Sequence, residues 1–433
     1  MAKQIFQNLL LDGTRLCDMT VEDGIITELS PAGSTPAGPE TNAAQNVAEN
    51  AAANVAAPAA EIHDLRGKLT LPGIVESHVH LDTTMTEGDP HPNESGTLFE
   101  GIEIWSERKK KLTAADVKER ARRAIRQQVR FGVQYIRSHV DITDPNLTAL
   151  RALIELREEL KDIVTLQLVA FPQEGIESFP HGRELLKKAA ELGADAIGAI
   201  PHYEFTREYS VSSLNYAFDL AQEYDLLMDV HCDEIDDEAS RGLETLATRA
   251  FEAGVGEKVT ASHTTAMHSY NNAYFVRLLR LLQMSGINFV SNPMVNTHLQ
   301  GRVDTYPKRR GVTRVKELTA AGINVSFGQD DIVDPWNPLG TGSLRDVTLI
   351  GLYVTQMMGA AQIDNSYRFI TYNGARTLNL QNYDIAPGNP ANFIVLDADS
   401  WREALAFHAP VLESYRNGHL IYEASAPQRL WHF

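Results

Sequence analysis

The spacing of hydrophobic and polar positions changes twice along the chain. Near the start, residues 4–11 and 16–21 alternate apolar with polar side chains, and Asp23-Gly24 supplies a hairpin turn before a third such run at 25–29. This predicts short antiparallel strands. From residue 69 to about 380 the strand-like runs become continuously apolar instead, at 70–79, 133–140, 164–171, 196–201, 226–231, 259–263, 287–291 and 323–327. Between them, stretches such as 114–130, 146–160, 183–191, 212–224, 240–253, 274–284 and 314–321 carry apolar residues three and four apart, the spacing of one helix face. Strands that are apolar throughout and separated by helices imply a parallel sheet covered on both sides. Eight strand–helix repeats predict a (β/α)8 barrel of the α/β class. After residue 380 the short alternating runs return at 391–396, 411–416 and 419–422, the last two flanking the hairpin signal Asn417-Gly418. Each end alone offers too few strands to be stable. Residues 1–69 and 381–433 are therefore predicted to pair into one small β-sandwich-like domain, with 70–380 forming the barrel. Residues 31–60 are rich in Ala, Pro, Asn and Thr without any period, and read as a mobile low-complexity insertion with no chemical role.

Composition narrows the class. The 433 residues are 43% apolar and 22% charged, ordinary globular values that allow a sizeable core. A net charge of -18 argues against nucleic-acid and anionic-membrane partners, which call for cationic surfaces. Two distant cysteines, Cys17 and Cys232, exclude a disulfide scaffold and fit a reducing, cytoplasmic setting. No secretory leader is read at the N-terminus, and no run approaches the ~18 apolar residues of a membrane span.

The candidate chemistry sits at strand ends, where barrel enzymes carry their sites. His78 and His80 end the first barrel run; two residues apart on a strand, they share a side. Gln173 follows the third run and His202 the fourth. His231 ends the fifth, with Glu234 three residues on. His263 ends the sixth, Asn292 and Asn296 follow the seventh, and Asp330-Asp331 follow the eighth. Imidazoles with a carboxylate suit Zn or Fe(II). Such a site with one open position activates a water and needs a nearby base, a role for which Glu234 is placed. His202 and His268 read as supporting residues, and Cys232 as packing.

The motifs Glu76-Ser-His-Val-His-Leu-Asp-Thr-Thr, Ser95-Gly-Thr-Leu-Phe-Glu-Gly-Ile-Glu, Val169-Ala-Phe-Pro-Gln-Glu-Gly, Gly198-Ala-Ile-Pro-His, Asp229-Val-His-Cys-Asp-Glu, Thr260-Ala-Ser-His-Thr-Thr, His298-Leu-Gln-Gly-Arg and Asp330-Asp-Ile-Val-Asp-Pro-Trp span residues 71–380 in strand order. In them the chain resembles the amidohydrolase superfamily, and within it the bacterial cytosine deaminases. The resemblance implies one divalent ion, Fe(II) or Zn, on His78, His80, His231 and Asp330. It implies a metal-activated water as nucleophile and Glu234 as the shuttle of its proton to the ring nitrogen and then the leaving amino group. His263 and Asp331 would orient the nucleophile, Gln173 would read the pyrimidine, and Leu98 and Trp336 would wall the ring. The implied partner is a small nucleobase, with cytosine giving uracil and ammonia; the implied assembly is a homo-oligomer, often a hexamer. One departure is Gln329, where the enzymes resembled carry His.

Other readings compete. The substrate could be isoguanine, 5-methylcytosine, creatinine or a triazine. Ring-opening relatives with two metals bridged by a modified lysine need a lysine at the end of the fourth strand, and Ala196-Ile-Gly-Ala-Ile-Pro-His202 has none. An inactive sensor would not need the full set of polar groups. Deaminases of polynucleotide bases use a His-x-Glu with Pro-Cys-x-x-Cys, which two separated cysteines cannot supply.

Overall fold

The computed structural model of the chain describes residues 3–33 and 60–425. The insertion read at 31–60 falls, over residues 34–59, outside the described residues. The chain divides into two compact units, Ile74–Gln381 on one hand and Met1–Gly73 with Asn382–Phe433 on the other.

Ile74–Gln381 is a (β/α)8 barrel. Its strands are β1 (Ile74–Val79), β2 (Val133–Asp141), β3 (Thr165–Phe171), β4 (Ala196–Ile197), β5 (Leu227–Cys232), β6 (Val259–His263), β7 (Asn288–Ser291) and β8 (Val325–Phe327). Each pairs in parallel with the next, from β1 through β8. The ring closes just past the strand ends, by a parallel bridge between Val79 and Asp330. There His80 N–H donates to the Asp330 carbonyl at 2.9 Å and Asp330 N–H donates to the His78 carbonyl at 2.8 Å. The closing seam of the barrel thus runs through three of the candidate ligands. Strands β1, β2, β6 and β7 are buried on both sides, the polar residues within them included.

The apolar run read as one strand at 70–79 is two elements. Leu69–Pro72 pairs with Gln4–Leu11 and Phe393–Leu396, and β1 begins at Ile74. Pro72 lacks the N–H that a continuing ladder requires, so the run breaks there. Several helices escaped the periodicity, of which Leu98–Arg108 and Leu344–Val354 are the longest. These two each carry an internal glycine, which weakens a helical signal. Both glycines answer to packing: a Cβ on Gly351 would lie 2.7 Å from the Phe327 ring, and one on Gly101 would run into Trp336 Nε1.

The second unit is one mixed sheet built from both chain ends. Its strand order is His419–Glu423, Val411–Arg416, Phe393–Leu396, Leu69–Pro72, Gln4–Leu11, Arg15–Glu22, Ile25–Pro31, with Glu61–Asp64 also pairing with Gln4–Leu11. Phe6, Leu9, Met19, Ile26, Phe393 and Tyr415 form its buried core, the last two rings stacked at 4.8 Å. Among the described residues no helix is long and apolar enough to cross a membrane.

Candidate active site

The C-terminal ends of the barrel strands gather the predicted residues. His80, Leu98, Gln173, His231, Glu234, Asp330, Asp331 and Trp336 line one pocket, with Ile200 and Leu299. His78 and His263 stand directly behind this lining, both buried.

His78, His80, His231 and Asp330 bring one potential ligand atom each to within 4.8 Å of the others, and all four are buried. Nε2 of His78 and of His80 lie 3.3 and 3.5 Å from Asp330 Oδ1. Nε2 of His80 faces Nε2 of His231 at 3.1 Å. His78 Nε2 is buried and makes no hydrogen bond. Burial first, and neighbouring imidazoles including His139 and His263, hold the three rings well below their ordinary pKa, hence neutral. Neutral rings whose lone pairs converge beside a carboxylate have the donor set of a divalent cation of the zinc or iron type. A cation between them would also turn the facing nitrogens from repulsive to bound, so the residues fit the group.

Glu234 leaves β5 on the loop after Cys232. Its Oε1 accepts from Asn296 Nδ2 at 2.9 Å and lies 3.2 Å from His263 Nδ1. Burial pushes the Glu234 carboxyl up to about 8 and the His263 ring down to about 3. Glu234 is therefore suited to hold a proton near neutrality, and His263 to stay neutral. His202, at the end of the fourth run, accepts the Glu234 backbone N–H on Nδ1 at 3.3 Å, which makes it a support for the Glu234 loop. Asp331 meets Asp334, whose other partners are Thr83 Oγ1 at 2.9 Å and the N–H groups of Trp336 and Asn337. Burial raises Asp331 well above the usual carboxylate range.

Backbone strain collects here too. His263, Thr264 and Asp330 hold φ values of 65°, 48° and 70°, the left-handed region that residues with a Cβ enter at a cost. Asp330 is fixed in it by the two hydrogen bonds of the barrel seam.

The apolar wall is one cluster. Trp336 packs with Ile102, Trp105, Val295 and Leu299, against Leu98, and its indole N–H donates to the Leu98 carbonyl at 3.1 Å. Helix Leu98–Arg108 approaches the indole across Gly101. Gly101→Ala is expected to push the indole off its acceptor and to lower kcat/KM by about 10²-fold, the scale of a 1 Å misplacement, with metal content unchanged. Steady-state kinetics together with metal analysis check this; unaltered kinetics would show that the wall tolerates the methyl group.

Sequence reasoning named Asn292 and Asn296 only as strand-end polar residues, and it passed over Glu76, Arg137, His139, Asp229 and Ser262. Asn292 Nδ2 sits 3.3 Å from His263 Nδ1. Glu76 Oε1 accepts from the N–H groups of His78 at 3.1 Å and Gln329 at 3.0 Å, fastening β1 to the segment after β8. The departure Gln329 donates its side-chain amide to the Asp331 carbonyl at 3.2 Å. The overlooked signal was polar residues at every second position inside apolar runs, such as Arg137, His139 and Asp141 in β2.

Known proteins resemble this chain. The profile of the amidohydrolase family matches residues 61–422. The chain belongs to the amidohydrolase family. A crystal structure of 5-methylcytosine deaminase from Klebsiella pneumoniae liganded with 5-fluorocytosine is 47% identical in sequence, with a TM-score of 0.91 over 99% of this chain and 99% of that one. N-isopropylammelide isopropyl amidohydrolase of Pseudomonas sp. (strain ADP) is 31% identical over 83% of this chain and 87% of its own length. Pterin deaminase of Rhizobium rhizogenes is 28% identical over 91% and 85%. This amidohydrolase is a hydrolase of carbon–nitrogen bonds in cyclic amidines, and small heterocycles are the substrates of such enzymes.

Proposed function

We propose that the protein deaminates cytosine-type pyrimidines by hydrolysis, 5-methylcytosine and cytosine being its substrates. The observation that carries this reading is the juxtaposition of Gln173, the Leu98–Trp336 wall and Glu234 around the His/Asp cluster in one pocket. The 47% identity to the Klebsiella 5-methylcytosine deaminase over 99% of the chain supports it and is the reason for naming 5-methylcytosine with cytosine.

In this reading His78, His80, His231 and Asp330 would hold one divalent ion, Zn or Fe(II), whose chemistry when bound would be to lower the pKa of a water to about 7. The chain's own residues do the rest. The ring slides between Leu98 and Trp336, whose apolar faces exclude bulk water. Gln173 presents an amide donor and an amide acceptor, which match a pyrimidine carbonyl and the ring nitrogen beside it. Glu234 takes the proton released by water and passes it to the ring nitrogen next to the amino-bearing carbon. That carbon becomes tetrahedral, with His263 and Asp331 placed to hold the incoming oxygen. Glu234 then takes the remaining proton from the hydroxyl on that carbon and delivers it to the amino group, which leaves as ammonia while the C–O bond becomes a carbonyl, so that 5-methylcytosine and water give thymine and ammonia. Asn296, donating to Oε1 of Glu234, leaves Oε2 for the proton.

Gln173→Ala is expected to raise KM by about 10-fold or more, the cost of unpaired polar groups on a bound ring, while metal content stays unchanged. An unaltered KM would remove Gln173 from the substrate contacts. The reading as a whole is tested by release of ammonia from 5-methylcytosine, cytosine, isoguanine and creatinine, and of isopropylamine from N-isopropylammelide. It predicts kcat/KM of ~10⁴ M⁻¹s⁻¹ or more for the two cytosines alone. Turnover of the triazine instead would move the substrate to the class of the Pseudomonas relative.

A further inference from the structure

A chain of buried polar groups runs beneath the His/Asp cluster, inside the barrel. Arg137 of β2, fully buried, donates from Nη1 to Asp229 Oδ2 at 2.9 Å. Its Nη2 is held by Gln167 Oε1 at 3.0 Å and the Thr377 carbonyl at 3.0 Å. Asp229 of β5 accepts on Oδ1 from Ser262 Oγ of β6 at 2.6 Å. Ser262 Oγ lies 3.0 Å from His78 Nδ1 of β1. Four strands thus contribute to one continuous line, all of it shielded from water. Arg137 and Asp229 are paired, as buried charges must be.

The directions of these bonds follow from the chemistry of the donors. The Arg137 guanidinium, which is always charged, pairs with Asp229 at 2.9 Å, so Asp229 is the carboxylate of a buried ion pair. An ionised carboxylate only accepts, so the single hydroxyl proton of Ser262 is committed to Asp229. Ser262 can then only accept from His78. The proton of His78 must therefore sit on Nδ1, and the lone pair on Nε2, the atom that is buried, makes no hydrogen bond and faces Asp330. His139 stacks on the His78 ring with centroids 3.9 Å apart and fixes its plane.

We propose that Ser262, with Asp229 behind it, is a positioning residue that sets the tautomer of His78 and so prepares the site for its metal. The proposal rests on the reading of His78, His80, His231 and Asp330 as ligands. It differs from a direct carboxylate–histidine pair in that a serine hydroxyl carries the constraint between them, so it can be removed without leaving a charge unpaired against Arg137.

The test is metal affinity, read by competition of Zn(II) between the full-length protein and a chelator, with folding followed by circular dichroism. Ser262→Ala is expected to weaken Zn(II) binding ~10–100-fold, the usual effect of losing a hydrogen-bonding partner of a ligand. Ser262→Thr, which restores the hydroxyl, should bind more tightly than the equally sized Ser262→Val. This pair keeps the test open should the alanine variant fold poorly. Equal affinities for Ala and wild type, or for Thr and Val, would overturn the proposal. His231→Ala separates the two levels. If that variant binds Zn(II) as wild type does, the ligand reading fails. If it loses Zn(II) while Ser262→Ala keeps wild-type affinity, the relay alone fails. In the Zn(II)-loaded protein, ¹⁵N spectra of histidine should place the His78 proton on Nδ1, and a proton on Nε2 would contradict the relay.

Discussion

Glu234→Gln is expected to bind metal as the wild type does and to lose turnover by at least the ~10²–10⁴-fold that general acid–base transfer supplies. The substitution keeps the size of the side chain and keeps a carbonyl oxygen to accept from Asn296 Nδ2, now 2.9 Å from Oε1. What it removes is the capacity to take and give a proton. In the native pocket burial has raised that carboxyl to about 8, so both protonation states are accessible near neutrality, as a group that moves a proton twice in one cycle requires. Metal analysis and single-turnover kinetics together check the prediction. Near-native turnover in this variant would assign the proton transfers to another group.

The second large effect is expected at Asp330. Asp330→Asn preserves side-chain shape, and Asn tolerates the left-handed backbone at φ 70° better than most residues, so the barrel seam should survive. The anion does not. Without it, three neutral imidazoles face a dication alone, and metal occupancy should fall by more than the ~10–100-fold typical of losing an outer hydrogen-bonding partner. Elemental analysis of the purified variant gives the answer directly. Melting with and without chelator gives a second one, since a metal that binds only the folded chain stabilises it. Wild-type stoichiometry in Asp330→Asn would remove this carboxylate from the ligand set.

These expectations draw on features that were unequally visible in the sequence. The eight barrel runs and helices such as Ala114–Arg130 stood out because a parallel barrel buries its strands on both faces while each outer helix keeps a polar side. The site was legible for a related reason: the fold confines its chemistry to strand ends, so His78, His80, His231 and Asp330 could be placed before any contact was known. What remained hidden depends on contacts across the barrel. Nothing local to Ser262 or Arg137 tells that one faces His78 and the other neutralises Asp229. Helix Leu98–Arg108 was obscured by Gly101, whose reason is Trp336, more than two hundred residues away in sequence. The break at Pro72-Gly73 was obscured because both halves of the run are apolar, although they pair in different sheets.

The central claim is hydrolysis at the amino-bearing carbon of a cytosine-type ring, and isotope transfer tests it most directly. The metal-replete protein is incubated with 5-methylcytosine in H₂¹⁸O, and the pyrimidine product and ammonia are quantified together by mass spectrometry and an ammonia assay. The account predicts thymine carrying one ¹⁸O per molecule and an equal amount of ammonia. Ring-opened product, or release of ammonia without incorporation of solvent oxygen, would contradict it.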